Sequence, residues 1–259
     1  MRIARFTTGD DPRFGVVGGE PGAELVALVE GDPLYRPLQL TGEHVALADV
    51  RLLAPVIPRS KVVGVGRNYA DHAAELGQQV PAEPLLFLKP NTAVVGPGDA
   101  IVLPAQSAEV HHEAELAVVI GRLCRDVPRE RAAEVVLGYT CANDVTARDL
   151  QRSDGQWARA KGFDTFCPLG PWIETELDPA DLEVTCEVDG EARQAGRTSA
   201  MVHDVADLVA YVSQAFTLLP GDVLLTGTPA GVGPLRDGEE VSVTIEGIGT
   251  LTNKVVSRD

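Results

Sequence analysis

The stretch VHHEAELAVVIG, residues 110–121, constrains the fold of this chain more than any other. It ends in an apolar run of strand length, and just ahead of that run it carries Glu113 and Glu115, two positions apart. Side chains alternate across a strand, so both carboxylates are expected on one side, roughly 7 Å apart at their Cα atoms. Two carboxylates aimed at one place repel each other unless they are solvated, protonated or bridged by a cation. The adjacent His111 and His112 point to opposite faces by the same rule, so they do not chelate one metal together.

The remaining patterning is mostly that of short strands. RIARFT, RFGVVGG and ELVALVEG each close on Gly, Asp or Pro, which predicts a small β domain over residues 1–57 packed against the rest. LLAPVIPRS (52–60), with its two prolines, marks the boundary to a larger domain, residues 58–259. There KVVGVG (61–66) and LLFLKP (85–90) read as strands. NYADHAAELG (68–77) reads as a short helix with Asn68 as N-cap and Gly77 as C-terminal cap. RERAAEVVLG (129–138) reads as helical, and YTCANDVTARD (139–149) as a strand ending in a loop or short helix.

The clearest helix lies in 204–222, where Val205, Leu208, Val209, Val212 and Phe216 form one apolar stripe ended by Pro220 and Gly221. DVLLTGTPAGVG (222–233) is a strand running into a glycine-rich loop, and 239–256 alternates as a hairpin does. With no repeated βαβ unit, the predicted fold class is α+β and β-rich.

The net charge of −16 argues against binding a phosphate backbone, so no nucleic-acid partner is expected. No run approaches the roughly 20 apolar residues of a membrane span, and the first residues lack the apolar core of a secretory signal. Cys124, Cys141, Cys167 and Cys186 are widely spaced with no CxxC pair, as expected of reduced core thiols in a cytoplasmic protein.

Three groups of residues carry chemistry. Glu113, Glu115 and Asp144, with no thiolate among them, suit a hard cation, Mg2+ or Mn2+; a solvated strand face would look the same in sequence. His72 and Glu75, three apart on one helix, share a face and can form a general-base pair or a simple surface contact. GVGRNY and GTPAGVG lack the full dinucleotide spacing, and are expected to bring backbone N–H groups close to a small ligand or to form ordinary tight turns.

Taken together and in order, GVGRNYADHAAELG, PLLFLKP, VHHEAELAVVIG, GYTCANDVTARDLQ, KGFDTFCPLGPW and LLTGTPAGVGP resemble the fumarylacetoacetate hydrolase family over about residues 58–256. The resemblance implies a mixed β-sandwich roll, a homodimer, and Mg2+ or Mn2+ on Glu113, Glu115 and Asp144. It implies His72 and Glu75 as an acid–base dyad on a lid segment, and Lys161 at the enolate or carboxylate of a 2-oxo acid. Gln151 would meet a neighbouring oxygen and Thr228 a substrate carboxylate, while Lys89 and Arg148 match charged family positions. With its short N-terminal region, the chain looks closer to the compact acylpyruvase, oxaloacetate decarboxylase and 2-hydroxyhepta-2,4-diene-1,7-dioate isomerase branch than to the longer fumarylacetoacetate hydrolase proper. Its expected reaction is hydrolysis, decarboxylation or isomerisation through a metal-bound enolate. A 2-keto-3-deoxy sugar-acid dehydratase and a catalytically silent ligand-binding relative are the alternatives. Arg197 stands where Asn or Glu is expected, and it bears on substrate choice.

Overall fold

The computed structural model describes residues 1–75, 77 and 79–257. Three sheets build it, as the strand-rich reading predicts. The largest has twelve strands. Its main path runs from Leu40–Ala46 through Leu25–Val29, Arg13–Gly18 and Arg2–Thr7 to Cys167–Glu174, Val136–Asn143 and Ala114–Ile120. It continues through Val223–Leu225 and Val62–Gly66 to Leu85–Lys89. A five-stranded sheet orders Glu191–Arg197, Glu183–Val188, Glu240–Ile245, Gly249–Ser257 and Ile101–Leu103. A small third sheet joins Thr146–Ala147, Val110–His112 and Gly233–Pro234.

All seven residues of Ala114–Ile120 are buried, because this strand is covered on both faces. Leu116, Val118 and Ile120 pack with Val184, Val243 and Leu251 of the five-stranded sheet. Ala117 and Val119, one step out of phase, pack instead with Leu169, Ile173 and Val223. The N-terminal strands carry an apolar cluster of their own, with Ala4, Phe6, Val17, Val26 and Leu28. They also extend the main sheet, since Arg2 and Ile3 pair with Glu174 and Ile173. Leu40–Ala46 and Arg51–Leu53 are strands that no sequence pattern announced.

Three local expectations need correction. The segment 129–138 is a 3-10 helix only over Arg129–Glu134, and Val136 already opens a strand, because Val136 to Gly138 supply the apolar edge that pairs with Val119 and Ile120. The helix Val205–Ala215 is capped by the Asp204 side chain, which accepts from Asp207 N at 2.9 Å, but Phe216 lies past its end in extended backbone. The third concerns Ala70–Glu75, which is a shorter helix than 68–77. Asn68 does not cap it: buried, its amide donates to the carbonyls of His203 (2.9 Å) and Thr226 (2.8 Å) and accepts from His203 N (2.9 Å). Gly77 has the positive φ of +64° that favours glycine after a helix. The tail forms the expected hairpin, Glu240–Ile245 against Gly249–Ser257.

Two outcomes are expected. Asn68→Ala leaves three backbone groups without their partner and lowers stability by about 2–4 kcal/mol in urea unfolding, against under about 1 kcal/mol if the bonds are replaceable by water. The thiols of Cys141, Cys167 and Cys186 are pushed up to about 12 by burial, whereas Cys124 is half-buried. Ellman's reagent should therefore reach Cys124 first in the native protein and the other three only on unfolding; early reaction of all four would contradict this core.

Candidate active site

Glu113 sits at a break between two strands, Val110–His112 in the small sheet and Ala114–Ile120 in the large one. The ladder with Val136–Asn143 ends at the Ala114–Asn143 pair. Beyond it the Asn143 side chain accepts from Glu113 N at 2.9 Å, and Asp144 N donates to Glu113 O at 2.9 Å. The expected continuous strand is thus interrupted at the residue in question, yet Glu113 and Glu115 still converge. One oxygen from each of Glu113, Glu115 and Asp144 lies within 4.8 Å of the others, and all three residues are buried. The two histidines diverge as predicted: His112 Nδ1 lies 3.0 Å from Gln194 Oε1, and His111 Nε2 3.6 Å from Glu109.

Three cations hold two of these carboxylates. Lys161 Nζ donates to Glu113 Oε2 (2.8 Å), Asp144 Oδ2 (2.6 Å) and Thr146 Oγ1 (2.8 Å), which takes up its three N–H bonds. Lys89 Nζ donates to Asp144 Oδ1. Arg148 Nη2 lies 2.5 Å from Glu113 Oε1, out of line for a hydrogen bond, while its Nη1 donates to Gln151 Oε1 at 3.0 Å. Burial alone would raise the Glu113 carboxyl, but Arg148 and Lys161 outweigh it and hold the group well below the usual carboxylate range. Lys161 is raised in turn, because Asp144 and Glu113 overcome the cost of its burial.

Glu115 differs. Its one hydrogen bond among the described residues comes from Gly227 N at 2.7 Å. Burial pushes its carboxyl well above the usual range, and the negative charges of Asp144 and Glu113 push it further. An all-oxygen set with one carboxylate lacking a cation of its own fits a hard divalent ion, which would supply the missing charge.

His72 is buried, and its Nδ1 lies 3.3 Å from Glu75 Oε2, so the predicted pair exists. Glu75 is also held by Gly231 N at 3.1 and 3.2 Å. The glycine-rich loop therefore turns its amides toward protein carboxylates, Gly227 to Glu115 and Gly231 to Glu75.

A narrow cleft gathers His72, Glu113, Glu115, Asp144, Lys161 and Thr228. Arg148, Gln151, Glu75 and Lys89 stand behind these residues and do not line it. The Thr228 hydroxyl donates to Ala114 O (2.8 Å) and accepts from Gln194 Nε2 (2.7 Å), so its single O–H bond is already used within the protein. Arg197 is exposed and paired with Asp181, away from the cleft.

Several wall residues were not singled out in the sequence: Arg67, Phe87 and Trp157 line the cleft. Gln194, on a strand of the other sheet, also ties Ala114 N (3.0 Å) to Pro229 O (2.8 Å). Arg67 and Phe87 lie inside quoted motifs, so proximity was their available signal; Trp157 and Gln194 had none.

Residues 61–256 match the family model described as fumarylacetoacetate (FAA) hydrolase C-terminal, and residues 1–55 one described as Rv2993c-like, N-terminal. The chain is similar to human mitochondrial oxaloacetate tautomerase FAHD2A, 48% identical over 221 residues, which cover 81% of this chain and 70% of that protein. It is similar in structure to 5-carboxymethyl-2-hydroxymuconate delta-isomerase from Mycobacterium smegmatis, with a TM-score of 0.93, 55% identity and 100% of each chain covered. A further similar structure is maleylpyruvate hydrolase from Sphingobium sp. SYK-6 in complex with manganese(II) ion and pyruvate, with a TM-score of 0.81, 36% identity and 100% of each chain covered. With the motifs, the fold and these relatives in agreement, the chain belongs to the fumarylacetoacetate hydrolase family.

Proposed function

We propose that this enzyme acts on a small 2-oxo acid and moves a proton at its C3, as a tautomerase or isomerase, with Mg2+ or Mn2+ on Glu113, Glu115 and Asp144. The observation that supports this most is the buried three-carboxylate cluster in which Glu115 has no cation of its own. When bound there, a hard divalent cation supplies Lewis-acid polarisation of the carboxylate and ketone oxygens of a 2-oxo acid.

The protein's own groups do the rest. Glu75 is an acceptor, so it favours the His72 tautomer with the proton on Nδ1 and leaves Nε2 to take or return the C3 proton. Gly231 N fixes Glu75 in turn. Lys161 and Lys89 hold Asp144, and Lys161 and Arg148 hold Glu113, in fixed positions. Arg148 and Gln151 act here as positioning residues behind Glu113, and Thr228 braces the Ala114 carbonyl between the two glutamates. Phe87 and Trp157, in edge contact at 5.6 Å, form an apolar wall that keeps water from the reacting carbon. The proposed assembly is a homodimer, as the resemblance implies, and the proposed location the cytoplasm, which the four free cysteines support; among the described residues no helix is long and apolar enough to cross a membrane.

Proton transfer is preferred because relatives of 48% and 55% identity bear the names tautomerase and isomerase. C–C hydrolysis, with His72 acting on a water, is the second reading, favoured by the 36% identical hydrolase. With oxaloacetate in D2O, proton NMR should show Mn2+-dependent exchange at C3 above the Mn2+ blank, without faster pyruvate release. Catalysed pyruvate formation would point to decarboxylation, and turnover confined to acylpyruvates, with cleavage products, to hydrolysis.

The division of roles yields a second expectation. His72→Ala should lower the exchange rate by about 10²–10⁴-fold while calorimetric Mn2+ affinity stays as in the wild type. Glu115→Ala should lose both. Equal loss of Mn2+ affinity in the two variants would contradict the assignment.

A further inference from the structure

Four basic side chains surround or line the cleft, and three of them are bound to the carboxylate cluster: Lys89 to Asp144, Arg148 to Glu113, and Lys161 to both. Arg67 is the exception. It lines the same cleft as His72 and the three carboxylates, yet among the described residues it makes no ion pair and no side-chain hydrogen bond, and its Nε is buried without a partner. The chain has 38 acidic residues against 22 basic ones, so an arginine without a carboxylate partner is not explained by scarcity of acids. Its backbone adds a second observation. Arg67 has φ of +60°, a left-handed conformation that costs energy for a residue with a Cβ and that persists where neighbouring structure enforces it. Asn68 supplies that enforcement through its three hydrogen bonds to the chain around His203 and Thr226. The guanidinium carbon lies 5.9 Å from the Trp157 ring centroid, so the group is set against the aromatic wall of the cleft.

We propose that Arg67 forms a subsite for a second carboxylate, the one at the far end of a 2-oxo acid whose head occupies the carboxylate cluster. A planar guanidinium with free N–H bonds matches a carboxylate in a paired, bidentate geometry. The enzyme then selects 2-oxo dicarboxylic acids over 2-oxo acids with a neutral tail. This rests on the 2-oxo-acid assignment above and goes beyond it in naming the group that reads the tail.

The test is equilibrium binding by calorimetry to the Mn2+-loaded protein of two inert analogues with the same head. N-oxalylglycine carries a distal carboxylate; N-ethyloxamate does not. The wild type should bind N-oxalylglycine about 10- to 100-fold more tightly, the range expected for hydrogen bonds to a charged group. Arg67→Gln, which keeps the same backbone demand, should abolish that preference while leaving N-ethyloxamate affinity within about 3-fold. Arg67→Lys should retain part of the preference, and all three proteins should show the same thermal midpoint. A wild type without preference, or an Arg67→Gln protein that keeps it or weakens both analogues equally, overturns the subsite. If neither analogue binds in a Mn2+-dependent way, the 2-oxo-acid assignment itself fails and takes the subsite with it.

Discussion

Everything at the centre of this molecule depends on the charge balance around Glu113, Glu115 and Asp144. Two unit charges about 5 Å apart repel by about 3 kcal/mol at an effective dielectric of about 20. Three such pairs together approach the whole stability of an ordinary domain, about 5–15 kcal/mol. The fold meets this with cations drawn from distant positions: Lys89 from the edge of the large sheet, Arg148 and Lys161 from two short helices. Each cation is itself buried, so neither sign could stay charged in this interior without the other. Glu115 is left over, its charge opposed by both neighbours and eased by one amide. A cation at this spot would remove that imbalance, which links the stability of the core to the chemistry of the cleft.

The same economy of contacts joins the carboxylates to the histidine. Asn68 anchors the start of the His72 segment to Thr226, and the next residues, Gly227 and Gly231, hold Glu115 and Glu75. Gly227 takes a positive φ of +98° and a Cβ there would come within 2.8 Å of Asn68 Cβ, so only glycine allows this approach. One loop thus sets the distance between the acid–base pair and the carboxylate cluster. Gln194 extends the linkage to the five-stranded sheet, binding the Glu113–Glu115 segment and the Thr228 loop with a single amide.

Much of this was legible in the sequence because it follows from strict periodicity. The alternation in 239–256, the apolar run 114–120 and the stripe from Val205 to Val212 each appear in the structure as read. His72 and Glu75 meet because a helix places residues three apart on one face. What escaped depends on contacts between distant segments. Asn68 has the composition of an N-cap, but carbonyls more than 130 residues away capture its side chain. The break at Glu113 is created by Asn143, and no local pattern around either residue reveals it. The ion pairs of Arg148 and Lys161 with the carboxylates join segments 35 and 48 residues apart, which no local pattern encodes. Trp157 and Gln194 reach the site from segments with no motif at all.

The central claim is that the three carboxylates form a divalent-cation site, and it is tested most directly by diffraction. Crystals of the protein grown with Mn2+ should show one anomalous scattering peak among Glu113, Glu115 and Asp144, with an oxygen of each about 2.1 Å away. A peak held by other residues, or none there at saturating Mn2+ with all three carboxylates in place, would contradict the account.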